Sequence, residues 1–337
     1  MRVLPRKAHG HAGAFLTAGT ALVLAAASAC SVQGGGSDDG GGKYPSRAVE
    51  FTVPTEPGGS TDLITRALVK SIEKPLGGQA VVVNKPGANG KIAGKDVFSS
   101  KPDGHRVAVM PQSLFAVGPL VVKDPDAIKL EDMTFVKGLS VEDYVLTVPA
   151  SSKVKSLKDL LGSKRVRYGT TGAGTGSQLS QALLFGKAKV PSTAIPFDGG
   201  GPLVTAVLGG KVDVGAMHVA EVVKHIEAGK LRPLVVFATK RVEALPNVPT
   251  ATESGHAIVV DQRRFVAAPA GLPDDVRDKL AGAIDKAVAS GEYGQVLKQS
   301  YIGRWEVDGT EVARQLTKSR DDFAAMTKTL GIDLAAQ

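Results

Sequence analysis

Apolar and polar residues alternate in "RAVEFTV" (Arg47–Val53), the two-residue period of a β-strand. Past "PTEPGGSTD" (Pro54–Asp62) the period changes. Leu63, Ile64, Ala67, Leu68 and Ile72 share one helical face, which predicts a helix over Ser60–Lys74. The chain therefore reads strand, glycine turn, helix N-terminus. "QAVVVN" (Gln79–Asn84) is a second strand. A glycine-rich turn and a short helix follow within "KPGANGKIAGKDVFSSKPDG", then a strand "HRVAVMP" (His105–Pro111). This βαβαβ order predicts a parallel sheet with helices on its faces.

A second unit repeats the rhythm. "DYVLTVPA" (Asp143–Ala150) is a strand, "SLKDLLG" a short helix stopped by Gly162, and "RVRYGT" (Arg165–Thr170) a strand that runs into "TGAGTGSQ" and a helix. "STAIPF", "KVDVGAM" and "LRPLVVFAT" are strands, separated by helices in "GPLVTAVLGG" and "VAEVVKHIEAGK". "RRFVAAPA" (Arg263–Ala270) is a last strand. Two amphipathic helices, "PDDVRDKLAGAIDKAVAS" and "GTEVARQLTKSRDDFAAMTKTL", close the chain.

The first residues follow another logic. "MRVLPRK" is basic, and "AFLTAGTALVLAAASA" is apolar, short and rich in small residues. Ala27-Ser28-Ala29 precede Cys30, the only cysteine, as in a bacterial lipobox; the alternative is an ordinary secretory signal. Residues 1–29 are thus expected to be a lipoprotein signal peptide and Cys30 the lipid anchor. Residues 30–43, "CSVQGGGSDDGGGK", hold too little apolar surface to fold and form a tether of roughly 20 Å. The expected place is the outer face of the cytoplasmic membrane, with high local concentration beside a membrane partner.

Composition narrows the function. The 337 residues suffice for two modest domains. The net charge of +8 includes Arg2, Arg6 and Lys7 of the targeting segment, and the remaining cations are scattered. With 5% aromatic residues for stacking, nucleic acid is not an expected partner. Catalysis finds little support. There is no Gly-x-Ser-x-Gly elbow, and the lone cysteine is the anchor. His218, Glu221 and His225 share a helix face at metal-ligand spacing, but a structural role is the favoured reading. Asp103 and Asp213 sit in turn and strand contexts where structural roles are common. No metal and no cofactor are expected.

What remains is the pair of glycine turns, "PGGSTD" and "TTGAGTGSQ". A helix N-terminus leaves N–H groups unpaired and carries partial positive charge, and glycine lets an anion approach them. "GAGTGS" lacks the lysine of a P-loop, and Gly172, Gly174 and Gly176 have the spacing GxGxG, not GxGxxG. A carboxylate fits better than a nucleotide. Alone, either turn is explained by a residue such as Ser60 or Thr61 capping its own helix. Two such turns in two units suggest a ligand with two anionic ends.

"YPSRAVEFTVPTEPGGSTDLITRAL" and "VVVNKPGANGKIAGKDVFSSKPDGHRVAV" resemble the first two signatures of the Bug receptors, the extracytoplasmic solute-binding proteins of tripartite tricarboxylate transporters. "GTGSQLS", "IPFDGGGPLVTAVLGGKVDV", "HIEAGKLRPLVV", "RVEALPNVPTATESG" and "FVAAPAGLP" follow in the family's order, so the resemblance covers Tyr44–Leu334. It implies an α/β, two-lobed type II periplasmic-binding-protein fold. Residues 44–143 with 264–337 would form lobe 1 and 144–263 lobe 2, with the ligand cleft between them. It further implies a monomer that binds a small di- or tricarboxylate, or an amino acid, and delivers it to membrane permease subunits. A lipoprotein sensor receptor with the same site is the alternative, and an exported enzyme a more distant one.

Carried over by position, the ligand residues would be Gly58, Gly59, Ser60, Thr61 and Asp62 from the first loop. Thr170, Thr171, Gly174, Gly176, Ser177 and Gln178 would come from the second. Asp198 and Gly199 match a further cleft loop. Gln112 and Ser113 carry less weight, as does Met217, which is more readily a core residue. Two positions depart from the family. Thr55 stands where many members carry an aromatic residue, and Glu56 where they carry a small or apolar one. Glu56, if it faced the cleft, would oppose a polyanion and pair with an ammonium. Arg263 and Arg264, near the second crossing between lobes, are placed to reach a carboxylate or to serve surface or hinge roles.

Overall fold

The computed structural model describes residues 44–335. The expected signal peptide, the Cys30 anchor and the 30–43 tether lie outside the described residues. In chain order the elements open with β1 (Val49–Val53), α1 (Ser60–Leu76), β2 (Ala80–Asn84), α2 (Lys91–Phe98), β3 (Arg106–Pro111), α3 (Ser113–Ala116) and α4 (Gly118–Val121). The long β4 (Met133–Pro149) leads to α5 (Leu157–Leu161), β5 (Val166–Thr170), α6 (Gly176–Lys187), β6 (Ser192–Pro196) and α7 (Gly200–Leu208). Then come β7 (Val214–His218), α8 (Val219–Glu227), β8 (Leu231–Val236), β9 (Asp261–Pro269), α9 (Asp274–Val288), α10 (Gly291–Gln299), β10 (Gly303–Arg304) and α11 (Gly309–Thr329). Among these helices none is long and apolar enough to cross a membrane.

The strands run in the order β2-β1-β3-β9-β4-β7-β5-β6, with β8 and β10 also paired to β4. β1 pairs in parallel with β2 and β3, and β5 with β6 and β7, as the βαβ rhythm predicts. β9 joins both β3 and β4 antiparallel. β4 is the seam. Met133–Asp143 pair with β9, and Tyr144–Pro149 pair with β7 and β8. One strand thus serves two half-sheets.

Each half-sheet is covered by helices on both faces. On one face of the first half, Phe51, Val109 and Val266 pack with Leu68 and Ile72 of α1 and Leu280 and Ile284 of α9. On the other, Met110 and Phe265 meet Val97 of α2 and Val312 and Leu316 of α11. In the second half, Tyr168 and Ala216 pack on Leu179 and Leu183 of α6, and Val145 and Met217 on α7 and α8. α11 serves both halves, since Phe323 joins the α6 core while Val312 joins the α2 core.

Three differences from the sequence reading have physical causes. β4 begins ten residues before the expected Asp143, because Gly138 and two register shifts against β9 break its periodicity. α10 was not expected, since "GEYGQVLKQ" holds two glycines and little apolar surface. Tyr293 and Leu297, buried against α1 and α9, stabilise it. The sheet is mixed, not simply parallel, because the chain re-enters the first half through β9.

Candidate functional site

The first turn departs from β1 at Pro54. Gly58, at φ 89°, donates its N–H to Asp62 Oδ2 (2.9 Å), and Arg66 Nε and Asn84 Nδ2 also bond the Asp62 carboxylate, each at 2.9 Å. Burial works to raise the Asp62 pKa; the bonds from Arg66, Gly58 and Asn84 outweigh it and hold the group below the usual range. Asp62 therefore fixes the loop from within. Glu56, at its tip, is exposed. The N-cap of α1 is Gly59, which supplies no side chain. Ser60 and Thr61 consequently do not cap their own helix. Their hydroxyls point to a buried ion pair.

That pair is Glu142 of β4 and Arg264 of β9, 2% and 4% exposed. Arg264 Nη1 bonds Glu142 Oε2, its Nη2 donates to Ser60 Oγ (2.8 Å), and its Nε donates to Thr61 Oγ1 (2.6 Å). Ser60 Oγ donates in turn to Glu142 Oε2 at 3.0 Å. Burial alone would raise the Glu142 pKa, but the Arg264 charge overcomes it and the carboxylate stays ionised. Arg263, its neighbour, alternates to the opposite face. There it bonds Asp261 (2.9 Å) and Gln315 and lies over the Trp305 ring.

The second turn is held largely by its own side chains. Gly172 and Gly174 adopt φ of 137° and 72°. The α6 N-cap is Thr175, whose hydroxyl accepts from Gln178 N (3.4 Å) and donates to Gly172 O (2.7 Å). Thr170 Oγ1 bonds the Gly172 backbone. Ser177 Oγ accepts from Thr171 N (3.1 Å) and donates to Ala216 O (2.6 Å), which ties the turn to β7. Gln178 Oε1 accepts from Gly174 N (2.9 Å) and its Nε2 donates to Leu334 O (3.1 Å). These side chains build the turn; of the first-turn N–H groups of α6, Gln178 N is taken by the Thr175 cap, and those before it have no intrahelical acceptor.

β4 brings the two turns together. Glu142 and Tyr144 are two residues apart and face the same way. The Ser60 end of α1 rests on Glu142. The Gly176 end of α6 rests on Tyr144, whose ring atom Cε2 lies 2.6 Å from where a Cβ on Gly176 would stand. Across the sheet, Gln262 pairs with Glu142, Arg264 with Ser140, and His218 with Tyr144. The His218 ring stacks on Tyr144 at 4.3 Å. Burial first, and the Arg264 charge, depress the His218 pKa to about 4 against the opposing pull of Glu142, so the ring is neutral. Glu221 accepts the His218 backbone N–H (3.0 Å) and packs on Gly200; burial, helped by the Glu142 charge, raises its pKa to about 7. No group of three or more His, Cys, Asp or Glu among the described residues is arranged to hold a metal ion.

Other loops close over the turns. Asn89 Nδ2 donates to Gly174 O (2.9 Å), and Ser113 Oγ donates to Asn89 Oδ1 (3.2 Å). Ala88 and Asn89 both hold left-handed φ, 47° and 51°, to present that amide. Gly199 N–H donates to Thr171 O (3.3 Å), while Asp198 beside it is exposed. Gln112 is buried with its N–H on Arg263 O (2.9 Å), and Met217 is fully buried in the α7–α8 core. Two surface hollows, one beside His256 and one beside Ile128, lie elsewhere.

Sequence reasoning did not single out Glu142, Tyr144, Asn89 or Thr175, and weighed His218 only for metal. A polar residue at an inward strand position, as Glu142 is, would have been the signal; the register shifts in β4 hid it.

Comparison with known proteins places this geometry. Residues 64–332 match the model of the family described as tripartite tricarboxylate transporter family receptor. The protein BugT of Bordetella pertussis (strain Tohama I) is 32% identical over 254 residues, 73% of this chain and 78% of BugT. The periplasmic binding protein BugD superposes with a TM-score of 0.77 at 26% identity, over 86% of this chain and 99% of BugD. MatC (Rpa3494) from Rhodopseudomonas palustris, with bound malate, gives 0.75 at 25% identity over 84% and 99% of the two chains. Rpa4515 of R. palustris, with adipate, gives 0.79 at 25% over 86% and 99%. The fold is the two-lobed one of periplasmic binding proteins, and the chain belongs to the tripartite tricarboxylate transporter receptor family.

Proposed function

We propose that the chain is an extracytoplasmic solute-binding receptor. It holds a small carboxylate between its lobes, 44–143 with 264–337 and 144–263, and delivers it to a tripartite tricarboxylate-type membrane permease. One observation carries this reading. The α1 and α6 N-termini rest on Glu142 and Tyr144, same-face neighbours on one strand. Such neighbours are about 7 Å apart, a distance that one small molecule spans. Family membership supports the reading, as do the malate and adipate held by two structural neighbours.

The carboxylate takes backbone N–H groups and dipole charge from the first turns of both helices. Ser60, Thr61, Ser177, Gln178 and Asp62 hold those turns in shape, Gly58 and Gly59 leave the first turn open to the ligand, and Gly174 and Gly176 let the second pack closely on Gly118 and Tyr144. Asn89 on Gly174 is a contact that closure makes and opening breaks, so a bridging ligand shifts the population toward closed. The chain binds without chemistry. Exposure outside the membrane and anchoring through Cys30 place it beside its permease.

Thermal shift of the purified full chain against di- and tricarboxylates, amino acids and nucleotides tests this. A ligand at a hundred times its Kd adds about 2.7 kcal/mol, several degrees in Tm. A carboxylate that raises Tm, with the effect lost when Gly59 is replaced by valine, supports the reading. Nucleotides shifting Tm where no carboxylate does would refute it.

A further inference from the structure

The floor of the site carries an unusual set of polar atoms. Glu142 Oε1 is buried and has no hydrogen-bond partner, although Oε2 of the same carboxylate is held by Arg264 and Ser60. Gln262 Oε1, directly across the β4–β9 ladder, also lacks a partner, and so does His218 Nδ1 across the β4–β7 ladder. Directly paired residues share a face with Cβ atoms about 5 Å apart, and diagonal neighbours stand about 7 Å apart. Buried polar groups are almost always paired, so three acceptors left without partners on neighbouring ladder positions point to a shared donor. All three atoms can accept. A neutral imidazole in its Nε2–H tautomer presents Nδ1 as an acceptor, and an ammonium offers three donors. Oε2 is fixed by two bonds, which leaves Oε1 free on a carboxylate that pairs with Gln262 across one ladder and stands diagonal to His218 across the other.

We propose that Glu142, Gln262 and His218 form an amine subsite, so that the ligand is an amino carboxylate whose ammonium donates to these acceptors while its carboxylate takes the helix N-termini. This rests on the receptor reading above and narrows it. Glu56, exposed at the loop tip, has no part in the subsite. A ligand carrying only carboxylates meets acceptors at this floor and leaves them unpaired.

The test uses the purified full chain, unfolded in guanidinium and refolded to release any bound solute. Isothermal calorimetry is run with each of the twenty common L-amino acids, with malate and with adipate. The best amino acid is then compared with the same carbon skeleton lacking its amine. The expected result is at least tenfold tighter binding of the amine-bearing member. In Glu142→Gln that ratio falls to within about twofold. Should Glu142→Gln fail to give a cooperative melt, Glu142→Gln/Arg264→Gln, which removes both charges, is read the same way. The ratio, unlike absolute affinity, is not moved by a merely structural role. An amine preference that survives both variants, or equal binding of the two members, overturns the subsite. Malate or adipate binding where no amino acid does overturns it and leaves the receptor reading standing. If no carboxylate of any kind binds, the receptor reading falls and the subsite with it.

Discussion

Replacing Arg264 by methionine removes the guanidinium and keeps most of the stem's volume. Three bonds go with it, to Thr61 at 2.6 Å, to Ser60 at 2.8 Å and to Glu142. The larger effect is on what stays behind. Glu142, 2% exposed, becomes a buried charge without a partner. Breaking a buried pair in this way costs about 3–5 kcal/mol, whereas the intact pair contributes little net stability over apolar residues. We expect a loss of about 4 kcal/mol at pH 7, and of only about 1–2 kcal/mol in Glu142→Gln/Arg264→Met. The pH dependence carries a sign. In the native protein the Glu142 pKa is held below 4.5, so its stabilising share is present above that value and lost only in acid. In Arg264→Met the largest opposing charge is gone, and burial, now countered only by His218 and the Ser60 hydrogen bond, raises the pKa. Its contribution is then retained at low pH and lost as pH rises through the new value. The gap between variant and native protein should therefore narrow from pH 7 to pH 5. Urea unfolding followed by circular dichroism at both pH values measures it. A single-variant loss below about 1 kcal/mol, or a gap that does not change with pH, would refute an ionised, paired Glu142.

Ser177→Ala strips a partner from both Thr171 N and Ala216 O and should cost about 1–3 kcal/mol in urea unfolding; a neutral result would mean that the turn is not held by this hydroxyl. Gly176→Ala places a Cβ against the Tyr144 ring and should cost about 1–3 kcal/mol. Gly201→Ala, with nothing within 4 Å of its Cβ, should be neutral or stabilising, and equal melting temperatures for the two would contradict the tight seat of α6 on Tyr144. Glu221, raised by burial to about 7, contributes stability that is full below pH 4.5 and lost as pH rises through 7. Glu221→Gln lacks that loss and should gain about 2 kcal/mol on the native protein between pH 5 and pH 8, whereas parallel stability curves would show that the carboxyl is not perturbed.

The two glycine turns were legible because they combine three local signals: the end of a period-two run, glycines, and the start of a period-3.6 run. The structure places α1 at the expected Ser60, and α6 at Gly176, three residues before the expected helical pattern at Leu179. The hydroxyls were legible as present but not as to their use. Ser60 and Thr61 looked like caps; Gly59 takes the cap position, and the hydroxyls are drawn sideways by Arg264, some 200 residues away in sequence. The floor was not legible at all. Glu142 lies in a stretch where Gly138 and two register shifts against β9 destroy the alternation, so its inward aim appears only once the ladder is assembled. Which of two adjacent arginines turns inward is likewise decided by pairing, since Arg264 meets Ser140 and Arg263 meets Val141.

The seam strand brings loops of such different construction onto neighbouring positions. β4 is shared by both half-sheets, so Glu142 and Tyr144 stand two residues apart yet belong to different ladders, with β9 and with β7. A helix N-terminus from each half rests on its own residue. The spacing of the two N-termini is thereby set by the strand and not by the loops, which leaves the loops free to part. Rotation of one half about this seam would separate Asn89 from Gly174 while leaving the Ser60–Glu142 and Gly176–Tyr144 contacts largely in place. On the proposed receptor function, closure adds contacts at the rim to a floor that is already formed. On this reasoning substitutions at the rim, such as Asn89→Ala, should raise the ligand's dissociation rate, while substitutions at Glu142 change which ligand is held.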